Sequence, residues 1–307
     1  MAIKTILVGC DLSGPSDQAL DRAISIAVKN GSLLVLVHAQ AGEPPVKDVD
    51  PATLAQIGEV SAAIRVEEAR AIADRLTSIQ GFGVTTEIVS RIGPADEVIA
   101  AAALEHNADL IVLGSHGHTG ITRLLLGSVA ASTIRQSACD VLIVRGAPKQ
   151  GTFQRPVVAT DFSPAADKAL AHTAALCDPG VPIRVIHAWE LPAGSWGASL
   201  LGQARFPWSM VRDAVVSSAK GQADHLLAMH RESENALSID LIQGPPASVI
   251  TEAAEQTGHD LIAVGAHGHR GFRRLLLGSV AESTVRHAPC SVLVVHGDAH
   301  APAAPSH

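Results

Sequence analysis

The sequence predicts an α/β protein built from two tandem, mainly parallel, five-stranded open-sheet domains. Three observations lead there. Short apolar runs alternate with helical patterns, those runs are continuous rather than alternating, and the whole series occurs twice. The repetition is plainest where GSHGHTGITRLLLGSV, residues 114–129, returns as GAHGHRGFRRLLLGSV, residues 265–280. Across Asp109–Arg145 and Asp260–His296, 23 of 37 aligned positions are identical, so this segment has diverged less than the rest of the two halves. A loop is an unusual place for such agreement if packing alone is at stake. The 307 residues suit two domains, since about 150 residues suffice for a core of their own.

In the first half, Thr5 to Gly9 is a short aliphatic strand that ends before Asp11. Ala19, Leu20, Ala23, Ile24 and Ala27 then recur at helical intervals within Pro15 to Asn30. Ser32 to Ala39 is a continuous apolar strand, as expected where helices cover both faces of a sheet. A loop with Pro44, Pro45 and Pro51 leads to a long helix over Ala52 to Gln80. Val84 to Ser90 follows as a strand, Pro94 to His106 as a helix with proline in its first turn, and Asp109 to Gly114 as the fourth strand. Gly127 to Ser137 is a helix and Asp140 to Arg145 the fifth strand.

The second half repeats the series. Its strands are Pro156–Thr160, Pro182–Ala188, Ser238–Gln243, Asp260–Gly265 and Ser291–His296; its helices are Pro164–Cys177, Met210–His230, Pro246–Thr257 and Gly278–His287. Residues 1–147 and 153–298 form the domains, Gly146 to Phe153 reads as a linker, and 299–307, rich in Ala and Pro, as a disordered tail. Between Pro192 and Pro207 the second half carries a glycine-containing loop with Trp196, and Trp208 follows; the first half has no counterpart. A lid and a patch covering a neighbouring surface both fit it.

Composition narrows the function. The net charge of -7 argues against a general nucleic-acid binder, which carries a basic stripe. The absence of Tyr, with five Phe, removes most stacking platforms for single strands. The start, MAIKTILVGCD, is apolar for too few residues to be a signal peptide. No run approaches the ~20 apolar residues of a membrane span. Cys10, Cys139, Cys177 and Cys290 form no Cys-x-x-Cys pair, and read best as small buried side chains. The expectation is a soluble, cytoplasmic protein with neither membrane nor nucleic acid as partner.

In an open parallel sheet, ligands lie outside the carboxyl ends of the strands where the strand order reverses. Asp11 and Asp161 follow the first strand of each half, His38-Ala39 and His187-Ala188 end the second, and Gly114 and Gly265 end the fourth. If first and fourth strands are neighbours, these groups converge. Gly114, Gly117 and Gly120 let the backbone bend and approach a ligand. Gly127-Ser128 opens a helix, whose free N–H groups and dipole favour an anion. The Ser128 hydroxyl can add a bond to phosphate and also serve as an ordinary N-cap. Asp11 has two open roles: contacting ribose hydroxyls or hydrated Mg²⁺, or capping the helix that begins near Pro15.

These features resemble the nucleotide-binding universal stress proteins. The resemblance rests on the spacing Gly-x2-Gly-x9-Gly-Ser, met by Gly114, Gly117, Gly127 and Ser128 and again by Gly265, Gly268, Gly278 and Ser279. Asp-x-Ser at Asp11-Ser13 and Asp161-Ser163, and the second strand's His38 and His187, match as well. The likeness covers about residues 2–146 and 153–297. It implies a Rossmann-like, adenine nucleotide alpha hydrolase-like fold with one ATP site per domain, a site that AMP or ADP would also enter, and Mg²⁺ accompanying the nucleotide. By that resemblance the glycines with Ser128 and Ser279 hold the triphosphate, and Val129 and Val280 add backbone contacts. Asp11 and Asp161 meet the nucleoside, Ala39 and Ala188 offer backbone groups to adenine, and Leu113 and Val264 line the pocket. The family's last strand commonly pairs between domains, which implies intramolecular pairing through Val141–Val144 and Val292–Val295 and leaves a homodimer open. One departure lies at the first strand's exit, where Gly9-Cys10 and Ala159-Thr160 differ, so the affinities of the two sites can differ too.

The pairs His116/His118 and His267/His269 are not required by that spacing. Contact with phosphate aided by Arg123, Arg273 and Arg274, binding of a transition metal, and simple solvation all remain open for them. His38 and His187 read as satisfied core or crevice histidines. Functionally, the expectation is a binding and regulatory protein of the stress response. There is no Walker loop, no Asp-Phe-Gly, no Ser-Gly-Gly-x-Asp-Ser loop and no Gly-x-Gly-x-x-Gly after the first strand. The rival is a slow Mg²⁺-dependent ATPase or autokinase using Asp11 and Asp161.

Overall fold

The computed structural model describes residues 3–42, 50–117, 126–146, 151–191, 208–268 and 277–296. The chain divides into two units, with the boundary between Thr152 and Phe153. The first runs β1 (Thr5–Gly9), α1 (Gly14–Asn30), β2 (Leu33–Gln40), α2 (Pro51–Gln80), β3 (Thr86–Ile92), α3 (Ala95–Glu105), β4 (Leu110–Gly114), α4 (Ser128–Gln136) and β5 (Asp140–Val144). The second runs β6 (Pro156–Ala159), α5 (Pro164–Leu176), β7 (Ile183–Trp189), α6 (Trp208–Met229), β8 (Leu237–Gln243), α7 (Pro246–Thr257), β9 (Leu261–Gly265), α8 (Ser279–His287) and β10 (Ser291–Val295).

Within the first domain the strand order is β3-β2-β1-β4-β5 and all four pairings are parallel. The second domain has the equivalent order β8-β7-β6-β9-β10, again parallel throughout. The chain moves outward from β1 to β3 and then returns to the other side of β1 as β4. The strand order therefore reverses between β1 and β4, and likewise between β6 and β9, which places a crevice at the carboxyl ends of those strands. Ile6–Val8, Leu34–Val37, Leu110–Leu113 and Val141–Val144 are buried, which accounts for their unbroken apolar character.

The amino ends of β1 and β6 are fixed by a repeated device. The Asp109 carboxylate accepts from the N–H groups of Lys4 (2.7 Å) and Thr5 (3.0 Å). Asp260 accepts from those of Gln154 (2.8 Å) and Arg155 (2.9 Å). At the other end of β1, Ser13 caps α1 by accepting from the Ser16 N–H, and α1 closes on Gly31 in the left-handed region at φ 65°. Helix α2 buries Ile72 and Ile79 and is held to α1 by the ion pair of Arg75 with Asp17, 2.7 Å.

Three boundaries differ from the sequence expectation. The third strand covers 86–92 rather than 84–90. Gly83, at φ 71°, extends the preceding turn, while β2 continues to Gln40 and gives Ile92 a partner. His38-Ala39 therefore lies inside β2 and not at its end. Phe153, expected in the linker, is fully buried and bridges to Cys177, so it belongs to the second domain's core. The remainder of that linker (147–150), the Trp196 loop (192–207) and the tail lie outside the described residues. Among the described residues no helix is long and apolar enough to cross a membrane.

Candidate functional site

Each domain has a crevice at the carboxyl end of its central strands, of about 300 Å³ in the first and about 520 Å³ in the second. In domain 1, Gly9, Asp11, Ala39, Leu113, Gly114, His116, Gly117, Gly127, Ser128 and Val129 all line it. In domain 2, Ala159, Asp161, Ala188, Val264, Gly265, His267, Gly268, Gly278, Ser279 and Val280 do the same. His118, Gly120, Arg123, His269, Arg273 and Arg274 lie outside the described residues. The fold thus gathers these residues from the exits of the first and fourth strands, the end of the second strand and the start of the helix after the fourth.

The carboxylates sit on a strained turn. Leu12 and Phe162, between the Asp and Ser of each Asp-x-Ser, have φ of 65° and 60°, a left-handed conformation unfavourable for such side chains. The turn brings one oxygen of Asp11 onto the Ser13 N–H at 3.0 Å, and one of Asp161 onto the Ser163 N–H at 3.0 Å. The serines, not the aspartates, cap α1 and α5. The capping role left open for Asp11 is therefore filled by Ser13, and the second oxygen of each carboxylate is turned toward the glycine loop. A Cβ at Gly117 would collide with Oδ2 of Asp11, and one at Gly268 would come within 2.5 Å of Oδ2 of Asp161.

The other glycines have a different reason. A Cβ on Gly114 would lie 2.8 Å from the Pro15 carbonyl carbon and oxygen, and one on Gly127 would lie 3.3 Å from the His116 Cα. These two make room for protein backbone, not for a ligand, and none of Gly114, Gly117 and Gly127 has a positive φ. For Gly114 and Gly117 the reason is thus close approach, to the Pro15 backbone and to the Asp11 carboxylate, rather than a bend in the loop; Gly120 lies outside the described residues. The loop closes through a bond from the Gly127 N–H to the Ser115 carbonyl, 2.8 Å, repeated from Gly278 to Ala266 at 2.8 Å.

Helices α4 and α8 begin at Ser128 and Ser279, and Gly127 and Gly278 are their N-caps without a side-chain hydrogen bond. The serines are first-turn residues, so the N-cap duty expected of them is absent. The first turn of each helix accordingly lines its crevice without a side-chain cap, at the positive end of the helix dipole. Across the crevice, the Cys10 N–H donates to the Val37 carbonyl at 2.8 Å, after which β1 leaves the sheet. In a parallel strand, peptide groups two residues apart face the same side. The peptide groups of Ala39 therefore turn toward the crevice with no strand beside them. The bond from the Thr160 N–H to the Ile186 carbonyl, 2.9 Å, sets up the same edge at Ala188.

His38 is buried, with Nδ1 at 2.8 Å from the Cys10 carbonyl; His187 Nδ1 is 2.9 Å from the Thr160 carbonyl, and its ring stacks on Phe162 at 4.6 Å. Both brace the turn that carries the aspartate. Sequence reasoning passed over Ser16, Ala95 and Ile99 in domain 1 and Pro246 and Ile250 in domain 2, all of which line the crevices, as do Cys10 and Thr160 at the first strand's exit. The first turn of the helix after the third strand supplies several of them, a placement that follows only once the strand order is known. Burial pushes the Cys10 thiol above its ordinary value, opposed by the Leu12 N–H, so it forms a neutral wall. Among the described residues no group of three or more His, Cys, Asp or Glu is placed to hold a metal ion by itself.

The universal stress protein family model matches residues 2–145 and 152–296, one copy per domain. A universal stress protein of Mycolicibacterium smegmatis is 29% identical, over 94% of this chain and 96% of its own. A universal stress protein of Mycobacterium tuberculosis is 26% identical over the same shares. The crystal structure of a universal stress protein from Archaeoglobus fulgidus covers 96% of this chain and 99% of its own, with a TM-score of 0.63 at 21% identity, and so shares the fold. With both of its domains matched end to end, the chain belongs to the universal stress protein family.

Proposed function

We propose that each domain binds an adenine nucleotide, ATP with AMP or ADP as further occupants, and that the protein acts as a nucleotide-dependent regulator of the stress response. One observation carries this reading. In both domains a carboxylate faces a glycine so closely that no side chain fits, beside a helix start whose N–H groups have no cap. That arrangement joins an acceptor for ribose hydroxyls to a donor array for phosphate in one crevice. Ser128 and Ser279, in the first helical turn, would add hydroxyl donors. The peptide edges at Ala39 and Ala188 would read the adenine, and Leu113 and Val264 would pack against its face. Mg²⁺ fits the donor set, since it takes one or two carboxylates together with phosphate oxygens; Asp11 and Asp161 would hold it, and it would neutralise phosphate charge.

Binding rather than turnover is the better reading of these residues. Asp11 and Asp161 already accept from Ser13 and Ser163, and the His116 ring is engaged by Ser115, 2.9 Å away. Both the nucleotide and the site are tested by releasing small molecules from the purified chain for mass spectrometry, then titrating ATP into a Gly117→Val, Gly268→Val double variant. Loss of ATP binding with an unchanged circular dichroism spectrum is expected. Undiminished affinity in the double variant would remove the site assignment, and rapid Mg²⁺-dependent release of phosphate by the parent chain would replace binding with catalysis.

A further inference from the structure

The two crevices share one backbone plan but differ in the charge held at their rims. In both domains the helix after the third strand closes one side, through Ala95 and Ile99 of α3 and through Pro246 and Ile250 of α7. The first turn of α3 carries Asp96 and Glu97, whereas that of α7 has no acidic residue. Ala247 and Ser248 stand in their places. Asp96 is half-buried, and its Oδ2 accepts from the Ser132 hydroxyl at 2.6 Å. Ser132 follows Ser128 by four residues in α4, so it lies about 6 Å along the axis from the helix start that lines the crevice. A carboxylate is thus fixed beside the turn proposed to receive phosphate, and the group that fixes it is a neutral hydroxyl.

Domain 2 keeps the hydroxyl and lacks the carboxylate. Ser132 recurs as Ser283 in α8, where its hydroxyl lies 3.4 Å from Nδ1 of His287 instead. The acidic residue in the first turn of α8, Glu282, is exposed and neutralised by Arg286 at 3.0 Å. The sequence extends the contrast, with Arg123 alone between Gly117 and Gly127, but Arg270, Arg273 and Arg274 between Gly268 and Gly278. A fixed carboxylate opposes a nearby anion in proportion to the anion's charge, and partial burial limits the screening by water and salt. The penalty therefore falls most on a triphosphate and least on a monophosphate. The smaller volume of the first crevice, about 300 Å³ against about 520 Å³, favours the same order.

We infer that Asp96 biases domain 1 toward nucleotides with few phosphates, and that domain 2, with alanine in its place, is the site for the triphosphate. The inference rests on the nucleotide reading above and deepens it, because it gives the two sites different preferred ligands. It makes Asp96 a specificity determinant that acts through charge, without contact with the ligand. A merely structural bond between α3 and α4 would change the affinity of every nucleotide alike.

The test titrates the full chain calorimetrically with ATP and with AMP, without divalent cation and with one site closed at a time. Gly117→Val leaves domain 2 and Gly268→Val leaves domain 1. The ratio of ATP to AMP affinity is expected to be about tenfold lower in domain 1, the scale of one added charge interaction. Asp96→Asn keeps an acceptor for Ser132 and removes only the charge. It should raise the ATP affinity of domain 1 about fivefold and the AMP affinity clearly less. Ala247→Asp should do the reverse in domain 2, where Ser283 is available to donate. Should a closing variant unfold, Asp96→Asn in the parent chain must still strengthen one of its two ATP-binding steps. Equal ratios in the two domains, or an Asp96→Asn effect of the same size on ATP and AMP, would overturn the inference while leaving nucleotide binding intact. If neither single-site chain takes up either nucleotide while its melting profile stays native, the nucleotide reading itself fails, and the inference with it.

Discussion

Domain 1 and domain 2 fill the floor of the same crevice in opposite ways. At the exit of the first strand, domain 1 has Gly9, where a Cβ would lie 2.6 Å from Cδ2 of Leu113 and 3.3 Å from Cδ1 of Ile99. Domain 2 has Ala159 there, and the residue facing it from the fourth strand is Val264, one carbon shorter. Volume removed from one strand is returned on its neighbour. The glycine loops show the same principle less symmetrically. Gly114 meets the Pro15 backbone, whereas Gly265 meets the Cβ of Ala165 at 3.2 Å. What is common to the two copies is thus a set of distances, reached with different atoms, and part of the identity in the repeated segment reflects packing.

The largest expected break in that comparison is at Gly114. Gly114→Ala should destabilise domain 1 by about 2–3 kcal/mol, because the obstacle is main chain that cannot rotate away. Gly265→Ala should cost domain 2 clearly less. All three tryptophans lie in the second half, so denaturation followed by tryptophan fluorescence reports domain 2, while circular dichroism reports both. Equal losses would show that the two loops are not packed differently.

A smaller effect tests the floor. Gly9→Ala alone should cost about 1 kcal/mol, and adding Leu113→Val should recover most of it, a coupling typical of side chains in contact. Additive losses in this cycle, measured by urea denaturation, would refute the compensation between strands.

An effect confined to alkaline pH concerns Cys139, the residue before the fifth strand of domain 1. Burial raises the Cys139 thiol to about 11 from 9.0. The unfolded chain then loses this proton first, so the stability tied to it is complete below pH 9 and declines as pH rises toward 11. The melting temperature of Cys139→Ala should fall less steeply across that window than the parent's; parallel curves would count against it.

The order of strands and helices was legible because the inner strands are unbroken apolar runs and the helices between them repeat small or aliphatic residues at helical intervals. The third strand was misplaced by two residues because it is a sheet edge: of its seven residues Val89 alone is buried, which leaves its ends without a hydrophobic signal. The lining of the candidate site was legible as a set of residues but less so as a set of reasons. Asp11 and Ser13 both have the chemistry of a cap, and only the turn at Leu12 decides that Ser13 takes it. Ser128 looks like a cap in sequence but falls one residue inside its helix.

The turn at Leu12 and Phe162 has one more consequence. Each domain places an unfavourable backbone conformation beside its carboxylate, at a leucine in one and a phenylalanine in the other. Selection for thermal stability alone would act early on these two positions, because Asn or Gly adopts the same conformation at lower cost. The same change would slacken the aspartate's hold on the crevice. If the crevice holds the proposed nucleotide, a lineage kept under heat but released from that ligand should lose leucine and phenylalanine here before it loses the glycines, and the residue at position 12 becomes a record of that use.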